Sequence, residues 1–349
     1  MEQNIFLFPL PQLLLPWYEA HHRDLPWRRD REPYHIWLSE IMLQQTRVEA
    51  VRGYYARFLT ALPTIESLAN CNDDTLHKLW EGLGYYSRVR NLKKAAQVIV
   101  NDFGGVFPRE HSAVLSLPGI GAYTAGAICS ICYDAPTPAV DGNVLRLLSR
   151  LRNDPRPIDL PEVKKDVTQV LQTIYPAQAC QFTQALMELG ATLCGPNRKL
   201  DCVNCPCRTI CKSRVAGTQE SLPVKSPKKQ RRQEEKTVFI LFCEGRYALE
   251  KRPSKGLLAS LWQFPNVPGA LEPQQALSQA EAWGTHPKEI LRQVSRTHIF
   301  THIQWNMQGC YLEVRACVPQ FTWMTPEQIR SDAALPTAFR QFFEEISDV

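Results

Sequence analysis

The feature that most constrains the fold is a change of hydrophobic period across one charged stretch. From Tyr34 to Gly190 apolar residues recur at three- and four-residue steps, as helices with one buried face require. Trp37, Ile41, Val48, Val51, Tyr55 and Phe58 form such a stripe between His35 and Leu59. Ser87–Phe103, Tyr123–Cys132, Asn143–Arg152, Pro161–Ile174 and Gln178–Ala191 read likewise, separated by Pro, Gly and Asp. Beyond residue 236 the pattern becomes short β-rich runs, Thr237–Phe242, Tyr247–Glu250, His298–Met307 and Gly309–Ala316, with a helix near Pro273–Trp283. Between the two lies a polar run with Lys225, Lys228, Lys229, Arg231, Arg232, Pro223 and Pro227, which reads as an exposed linker. An all-α region followed by a smaller α+β domain is the expectation, and 349 residues suffice for two cores.

Charge narrows the class of partner. Residues 1–215 carry 24 basic against 21 acidic side chains, 216–236 carry 6 against 3, and 237–349 carry 10 against 11. The basic excess sits in the first two segments, where it suits an anionic partner, but it is too small to identify one. The apolar start from Ile5 to Leu15 is broken by Pro9 and Pro11 and lacks a basic residue ahead of it, unlike a signal peptide. Nothing approaches the ~20 apolar residues of a membrane helix. Twelve cysteines without an export signal argue for thiols or metal ligands rather than disulfides. A soluble, cytoplasmic protein, nucleoid-associated if bacterial, is expected.

Three motifs carry chemistry. Cys194, Cys202, Cys205 and Cys211 fall within eighteen positions, and four thiolates in one loop satisfy either a tetrahedral zinc ion or an iron–sulfur cubane. Leu117-Pro118-Gly119-Ile120-Gly121 precedes a helical run from Ala122. Its glycines permit a tight turn that lets backbone N–H groups approach an anion such as a DNA phosphate, although a plain helix-connecting turn has the same chemistry. The third motif is a pair of acids. Glu40 lies in the helix Ser39–Thr46 with Gln44 and Arg47 on its stripe, which also describes a solvated ion-pair face. Asp141 precedes Gly142-Asn143 and the stripe Val144, Leu147, Leu148 and Leu151, which also describes an N-cap.

Residues 17–214 closely resemble the helix-hairpin-helix DNA glycosylases, the MutY type in particular. The likeness is carried by Arg23-Asp24-Leu25-Pro26-Trp27-Arg28, the Glu40 helix, Trp80-Glu81-Gly82-Leu83-Gly84-Tyr85-Tyr86, the Gly119/Gly121 hairpin, Ala139-Val140-Asp141-Gly142-Asn143 and the cysteine loop. It implies a catalytic region over 1–215, made of a six-helix barrel at about 33–143 and a cluster domain from about 1–32 and 144–215. A charged linker at 216–236 and a C-terminal domain at 237–349 follow. It implies a 4Fe–4S cluster on Cys194, Cys202, Cys205 and Cys211, although the first gap encloses seven residues where the bacterial pattern has six, and Cys207 is extra.

The implied reaction is hydrolysis of the N-glycosidic bond of adenine mispaired with 8-oxoguanine or guanine in duplex DNA. Glu40 would be the acid acting at adenine N7 and Asp141 the carboxylate stabilising the cationic sugar, with Asn143 and Tyr123 supporting the pair. Flipping the adenosine out vacates a place in the stack, and Gln45 and Tyr85 match the residues that wedge into it. Pro118, Gly119 and Gly121 would grip the backbone. The C-terminal domain resembles the Nudix-like extension through the run Arg252–Pro265, without the Glu-rich helix that binds Mg²⁺ in Nudix hydrolases. Pro273–Trp283 offers only Glu281, so nucleotide hydrolysis there is not expected. Phe300-Thr301-His302 matches the loop that contacts 8-oxoguanine, with Thr where Ser is usual. Tyr123 stands where related lyases carry a lysine, and the next lysine downstream, Lys164, is expected on a different helix. A monofunctional enzyme acting as a monomer is therefore expected, against an endonuclease III-like lyase or a non-catalytic DNA-binding protein.

Overall fold

A computed structural model describes residues 2–196, 200–227 and 230–348. Among them twelve α-helices precede the first strand: α1 (Leu10–His21), α2 (Pro33–Leu43), α3 (Val48–Ala61), α4 (Ile65–Asn70), α5 (Asp73–Leu79), α6 (Ser87–Phe103), α7 (His111–Ser116), α8 (Ala122–Tyr133), α9 (Gly142–Arg152), α10 (Pro161–Gln172), α11 (Ala179–Ala191) and α12 (Lys212–Ala216). Then come β1 (Arg232–Cys243), β2 (Arg246–Lys251), β3 (Trp262–Gln263), β4 (Asn266–Pro268), α13 (Pro273–Ala282), β5 (Pro287–Ile299), β6 (Ile303–Val314), β7 (Thr322–Met324), α14 (Pro326–Asp332) and α15 (Thr337–Phe343). No helix among the described residues is long and apolar enough to cross a membrane. Contacts gather the chain into two units, Met1–Asn70 with Arg90–Lys228, and Cys71–Val89 with Lys229–Val349.

The first unit is helical. One of its cores draws Leu7, Leu10, Leu14 and Tyr18 onto Val144, Leu147, Leu148 and Leu151 of α9, Val163 and Val167 of α10, and Phe182, Leu186 and Leu189 of α11. The stripe read from His35 to Leu59 does not run through one helix. It breaks at Gln44–Arg47, where Gln45 takes a left-handed φ of 61° and Arg47 is extended. Either side of the break the burial differs: α2 buries eight residues, whereas α3 buries only Val51, Tyr55 and Phe58. A straight continuation could not satisfy both. The expected helix Ser39–Thr46 therefore ends at Leu43.

The polar stretch read as a free linker is held down over its first half. Leu222 is buried, and Arg150 Nε donates to the carbonyls of Gln219 and Leu222, both at 3.0 Å. Ile158 N–H donates to Val224 O at 3.0 Å and Ser226 N–H to Asp159 Oδ1 at 2.9 Å. These bonds use the backbone of the polar stretch, so its side-chain composition gives no sign of them. Lys228 and Lys229 lie outside the described residues, and strand β1 has begun by Arg232.

The second unit is built on a sheet ordered β3-β2-β1-β6-β5, with β4 also pairing β1 and β7 pairing β2. Strand β1 runs parallel to β6 and is buried on both faces. Val238 and Ile240 join a core with Phe264, Trp305, Phe339 and Phe342, while Phe239 and Leu241 join another with Ala276 and Ala280 of α13. Burial on both faces is why Thr237–Phe242 reads as a continuous apolar run rather than an alternating one. The run His298–Met307, expected as one strand, is a hairpin corner: β5 ends at Ile299, and Phe300 N–H donates to Ile303 O at 2.8 Å as the chain turns into β6. Residues 71–89, expected within the helical barrel, make their contacts in this second unit.

The hairpin before α8 depends on one glycine. Gly119 has φ +77°, and a Cβ there would lie 2.6 Å from Asn91 Cβ on α6. Gly119→Ala is expected to lose about 2 kcal/mol of stability from left-handed strain plus the clash, read as a lower denaturant midpoint.

Candidate active site

Four of the sequence-predicted residues meet in one cavity of the first unit, of about 480 Å³. Glu40 comes from α2, Tyr123 from the first turn of α8, and Asp141 and Asn143 from the start of α9. Gln45, at the break after α2, also lines it. The Tyr123 hydroxyl donates to Glu40 Oε2. Asp141 is the N-cap of α9, its Oδ1 accepting Val144 N–H at 2.8 Å, while Asn143 Nδ2 donates to Oδ2 at 2.7 Å. The cap thus fixes one carboxylate oxygen and Asn143 the other.

Glu40 is 6% exposed, and burial pushes its pKa from 4.5 up to about 7. The Tyr123 hydrogen bond opposes that rise, and the nearby charge of Asp141 adds to it. Burial also raises Asp141, against the hydrogen bonds from Val144 and Asn143. Tyr123 is held well above a phenol's ordinary range, first by burial and then by the neighbouring Glu40 and Asp141. It therefore stays protonated and acts as a neutral donor. The arrangement offers a proton on Glu40 near neutral pH beside a second carboxylate held in fixed orientation.

Sequence reasoning missed a third carboxylate in the cavity. Glu188 on α11 has a fully buried side chain, gripped by Arg23 Nε at 2.7 Å, Arg23 Nη2 at 2.9 Å and Arg28 Nη2 at 2.8 Å. Burial pushes this carboxyl up, but the bonds from Arg23 and the charge of Arg28 prevail and hold it below the ordinary range. The readable signal was a lone acid on a buried face, flanked by Phe182, Ala185, Leu186 and Leu189. A second cavity, of about 580 Å³, is also lined by Tyr123, Asp141 and Gly142, and by Lys164 and Lys225. Lys164 lies on α10 as expected of a different helix, yet it faces the same surroundings as the catalytic candidates.

The hairpin residues Pro118, Gly119 and Gly121 lead directly into α8, whose N-cap Gly121 supplies no side-chain acceptor. Its first N–H groups therefore donate to no capping side chain. Tyr85, Phe300, Thr301 and His302 belong to the second unit. Tyr85 is 49% exposed, and its hydroxyl lies 2.9 Å from Thr301 Oγ1. Phe300 packs edge-on against Trp305, with centroids 4.8 Å apart, while Thr301 and His302 are exposed.

Cys194, Cys202, Cys205 and Cys211 line one small cavity together with Arg150, Arg208 and Arg214. Arg150 Nη1 lies 3.3 Å from Cys194 Sγ. Cys207 is fully buried in the apolar core instead. Among the described residues, no group of three or more His, Cys, Asp or Glu side chains is placed to hold a single metal ion. Four thiols ringed by guanidinium groups suit a thiolate-bound anionic group.

Residues 38–173 match the family model described as HhH-GPD superfamily base excision DNA repair protein, and residues 237–345 match a NUDIX domain. The adenine DNA glycosylase of Rattus norvegicus is 35% identical over 401 residues, covering 95% of this chain and 76% of that protein. That of Homo sapiens is 35% identical over 399 residues, covering 95% and 72%. Among solved structures, a thermostable thymine-DNA glycosylase shares 28% identity over 62% of this chain and 98% of its own, with a TM-score of 0.54.

The raised Glu40 predicts a cost of folding with a definite sign. The folded state holds this proton more tightly than the unfolded chain, so the cost is absent below about pH 4.5, grows with pH, and is complete above about pH 7. Glu40→Gln, which can still accept from Tyr123, is expected to be more stable than wild type at about pH 8, by up to about 3 kcal/mol. That advantage is expected to vanish at about pH 4.5, as denaturant melts at the two pH values would read.

Proposed function

From the premise that the chain belongs to the MutY-type adenine DNA glycosylases of the helix-hairpin-helix superfamily, we propose that it excises adenine paired with 8-oxoguanine, and also with guanine, by acid-assisted hydrolysis of a flipped-out nucleoside. The superfamily acts in base-excision repair, and removal of adenine from DNA is the activity of its relatives. The observation that carries the finer reading is Glu40, protonated near neutral pH in the cavity that also holds Asp141.

Breaking the N-glycosidic bond sends its electron pair to the base, and the sugar gains oxocarbenium character. Glu40 gives its proton to the adenine ring, so a neutral base leaves. The Asp141 carboxylate, oriented by Asn143 and by the helix start, faces the developing positive charge. Water then adds at C1′ and loses a proton. Tyr123 holds the Glu40 carboxyl in place throughout. The ionised Glu188, each oxygen taken by two donors from Arg23 and Arg28, holds those two arginines at the pocket wall. The hairpin N–H groups hold a phosphate, Gln45 and Tyr85 fill the vacated stack, and the Phe300-Thr301-His302 turn reads the base opposite.

Cys194, Cys202, Cys205 and Cys211 would hold a 4Fe–4S cluster, whose contribution when bound is a rigid anionic anchor for the loop and a counter-charge for Arg150. Protein purified without oxygen is expected to contain iron and acid-labile sulfide in comparable amounts. Stoichiometric zinc without sulfide would refute the cluster.

The function is tested on duplexes with adenine opposite 8-oxoguanine, guanine or thymine. Adenine release from the first two is expected, with an intact strand that breaks only in alkali and no efficient borohydride-trapped adduct. Rates should fall as pH rises through about 7, where Glu40 loses its proton. Glu40→Gln and Asp141→Asn are each expected to lower excision at least ~1000-fold while mispair binding persists. Efficient trapping abolished by Lys164→Ala would replace the monofunctional reading with a lyase.

A further inference from the structure

The Tyr85 turn is held by contacts more than 250 residues away in sequence. Glu81 Oε1 accepts Leu335 N–H at 3.0 Å and Arg340 Nη2 at 2.7 Å, and Oε2 accepts Lys78 Nζ at 2.8 Å. Lys78 also donates to Ala333 O at 3.2 Å, and Lys251 pairs with Asp74 at 2.9 Å. The Glu81 side chain is only 16% exposed, so its ion pairs are screened less than surface pairs are.

From Glu81 the support continues to the tyrosine. Buried Trp80 donates Nε1–H to Gly84 O at 3.1 Å, and Arg88 Nη2 donates to Leu83 O at 2.9 Å and Gly84 O at 3.1 Å. The Arg88 guanidinium lies 5.2 Å from the centre of the Trp80 ring. Tyr85 itself has φ +47°, a left-handed conformation that a non-glycine residue keeps only when its surroundings impose it. Beyond it the Tyr85 hydroxyl meets Thr301 in the β5–β6 turn. Glu81, Tyr85 and Thr301 thus belong to one continuous set of contacts within the second unit.

We propose that Glu81 is a positioning residue for opposite-base discrimination, its carboxylate latching the Tyr85 turn to Leu335 and Arg340 so that the wedge tyrosine and the Phe300-Thr301-His302 turn act as one body. The residue that enters the stack is then set by the residues that read the opposite base. A base that the turn does not engage leaves Tyr85 less well placed, and excision slows. This rests on the reading that Tyr85 wedges and that the 300–302 turn contacts the base opposite adenine.

The test uses the full-length protein with Glu81→Gln, Arg340→Met, Arg340→Lys, and, for the underlying reading, Phe300→Ala and Thr301→Ala. Single-turnover excision is measured opposite 8-oxoguanine and opposite guanine, with affinity, thermal melts, and the fluorescence of 2-aminopurine placed beside the opposite base. Glu81→Gln and Arg340→Met are expected to lower the ratio of the two rates roughly five-fold or more and to change the 2-aminopurine signal, with Arg340→Lys restoring both. A merely structural carboxylate would lower both rates alike and leave the ratio unchanged, which overturns the proposal. If Phe300→Ala or Thr301→Ala lowers the ratio while folded Glu81 and Arg340 variants keep it, the latch is wrong and the reading of the turn survives. If none of the variants changes the ratio, both fall. Should Arg340→Met melt before assay, Lys78→Met removes a separate arm of the same carboxylate and carries the same expectations.

Discussion

Two buried arginines one turn apart on α9 set the terms for the first unit. Arg146 is 9% exposed and Arg150 3%, and neither has an ion-pair partner among the described residues. A guanidinium out of water costs several kcal/mol unless its N–H groups find acceptors. These two find them by gathering backbone. Arg146 donates to Asn143 Oδ1 at 2.8 Å and to Cys194 O at 3.0 Å. Arg150 donates to Cys194 O, Gly195 O, Gln219 O and Leu222 O, each at 3.0 Å. The helix that starts at Asp141 therefore fixes the orientation of Asn143, the entry to the cysteine loop and the strap that leaves for β1. The Asp141 charge acts on Arg146, and an anionic group on the four thiolates would lie beside Arg150 and add to that balance.

The pocket separates its carboxylates by the company each keeps. Glu40 has one neutral donor and low-dielectric walls, so its proton stays on to about pH 7. Glu188 is equally buried but clasped by two guanidinium groups, so it stays charged. One cavity thus presents a carboxyl that keeps its proton and a carboxylate that stays ionised, and the difference comes from Arg23 and Arg28 in the short segment before α2. That segment, one of the motifs that carry the family likeness, keeps Glu188 ionised while Glu40 holds its proton.

What was legible in the sequence is what local periodicity and capping determine. Helices α6, α8, α9, α10 and α11 lie where the apolar stripes predict, although only α10 among the last four buries a single narrow face and α8 and α9 are buried on all sides. The N-cap reading of Asp141 and the functional one describe the same geometry: capping uses Oδ1 and leaves the carboxylate fixed at the cavity. What was illegible depends on partners distant in the chain. Strand β5 went unrecognised because it lies at the sheet edge and its half-buried positions include Arg292, Arg296 and His298, so its regular alternation in burial is not an alternation in polarity. The attachment of 217–226 uses mostly main-chain groups, with the Thr218 hydroxyl and the buried Leu222 side chain added, and composition does not encode the main-chain part. The contacts that group 71–89 with the second unit include Glu81 meeting Leu335 and Arg340, a long-range match that no local pattern announces.

The choice of tyrosine at position 123 links the acid to the reaction's end point. A lyase needs an amine in the site, and the resemblance to the helix-hairpin-helix glycosylases places the lysine of the bifunctional type at this position of the hairpin helix. Tyr123 instead donates to Glu40 and remains protonated, so it adds a hydrogen bond without adding charge. An ammonium at the same distance would stabilise the Glu40 carboxylate and draw its pKa down towards the ordinary range. The proton needed to help adenine leave would then be absent at neutral pH. A lysine would thus gain the nucleophile for strand cleavage at the expense of the acid for base release. Adenine is a poor leaving group, so under the proposed mechanism its removal depends on that acid, and a neutral phenol at position 123 is the side chain that would keep it.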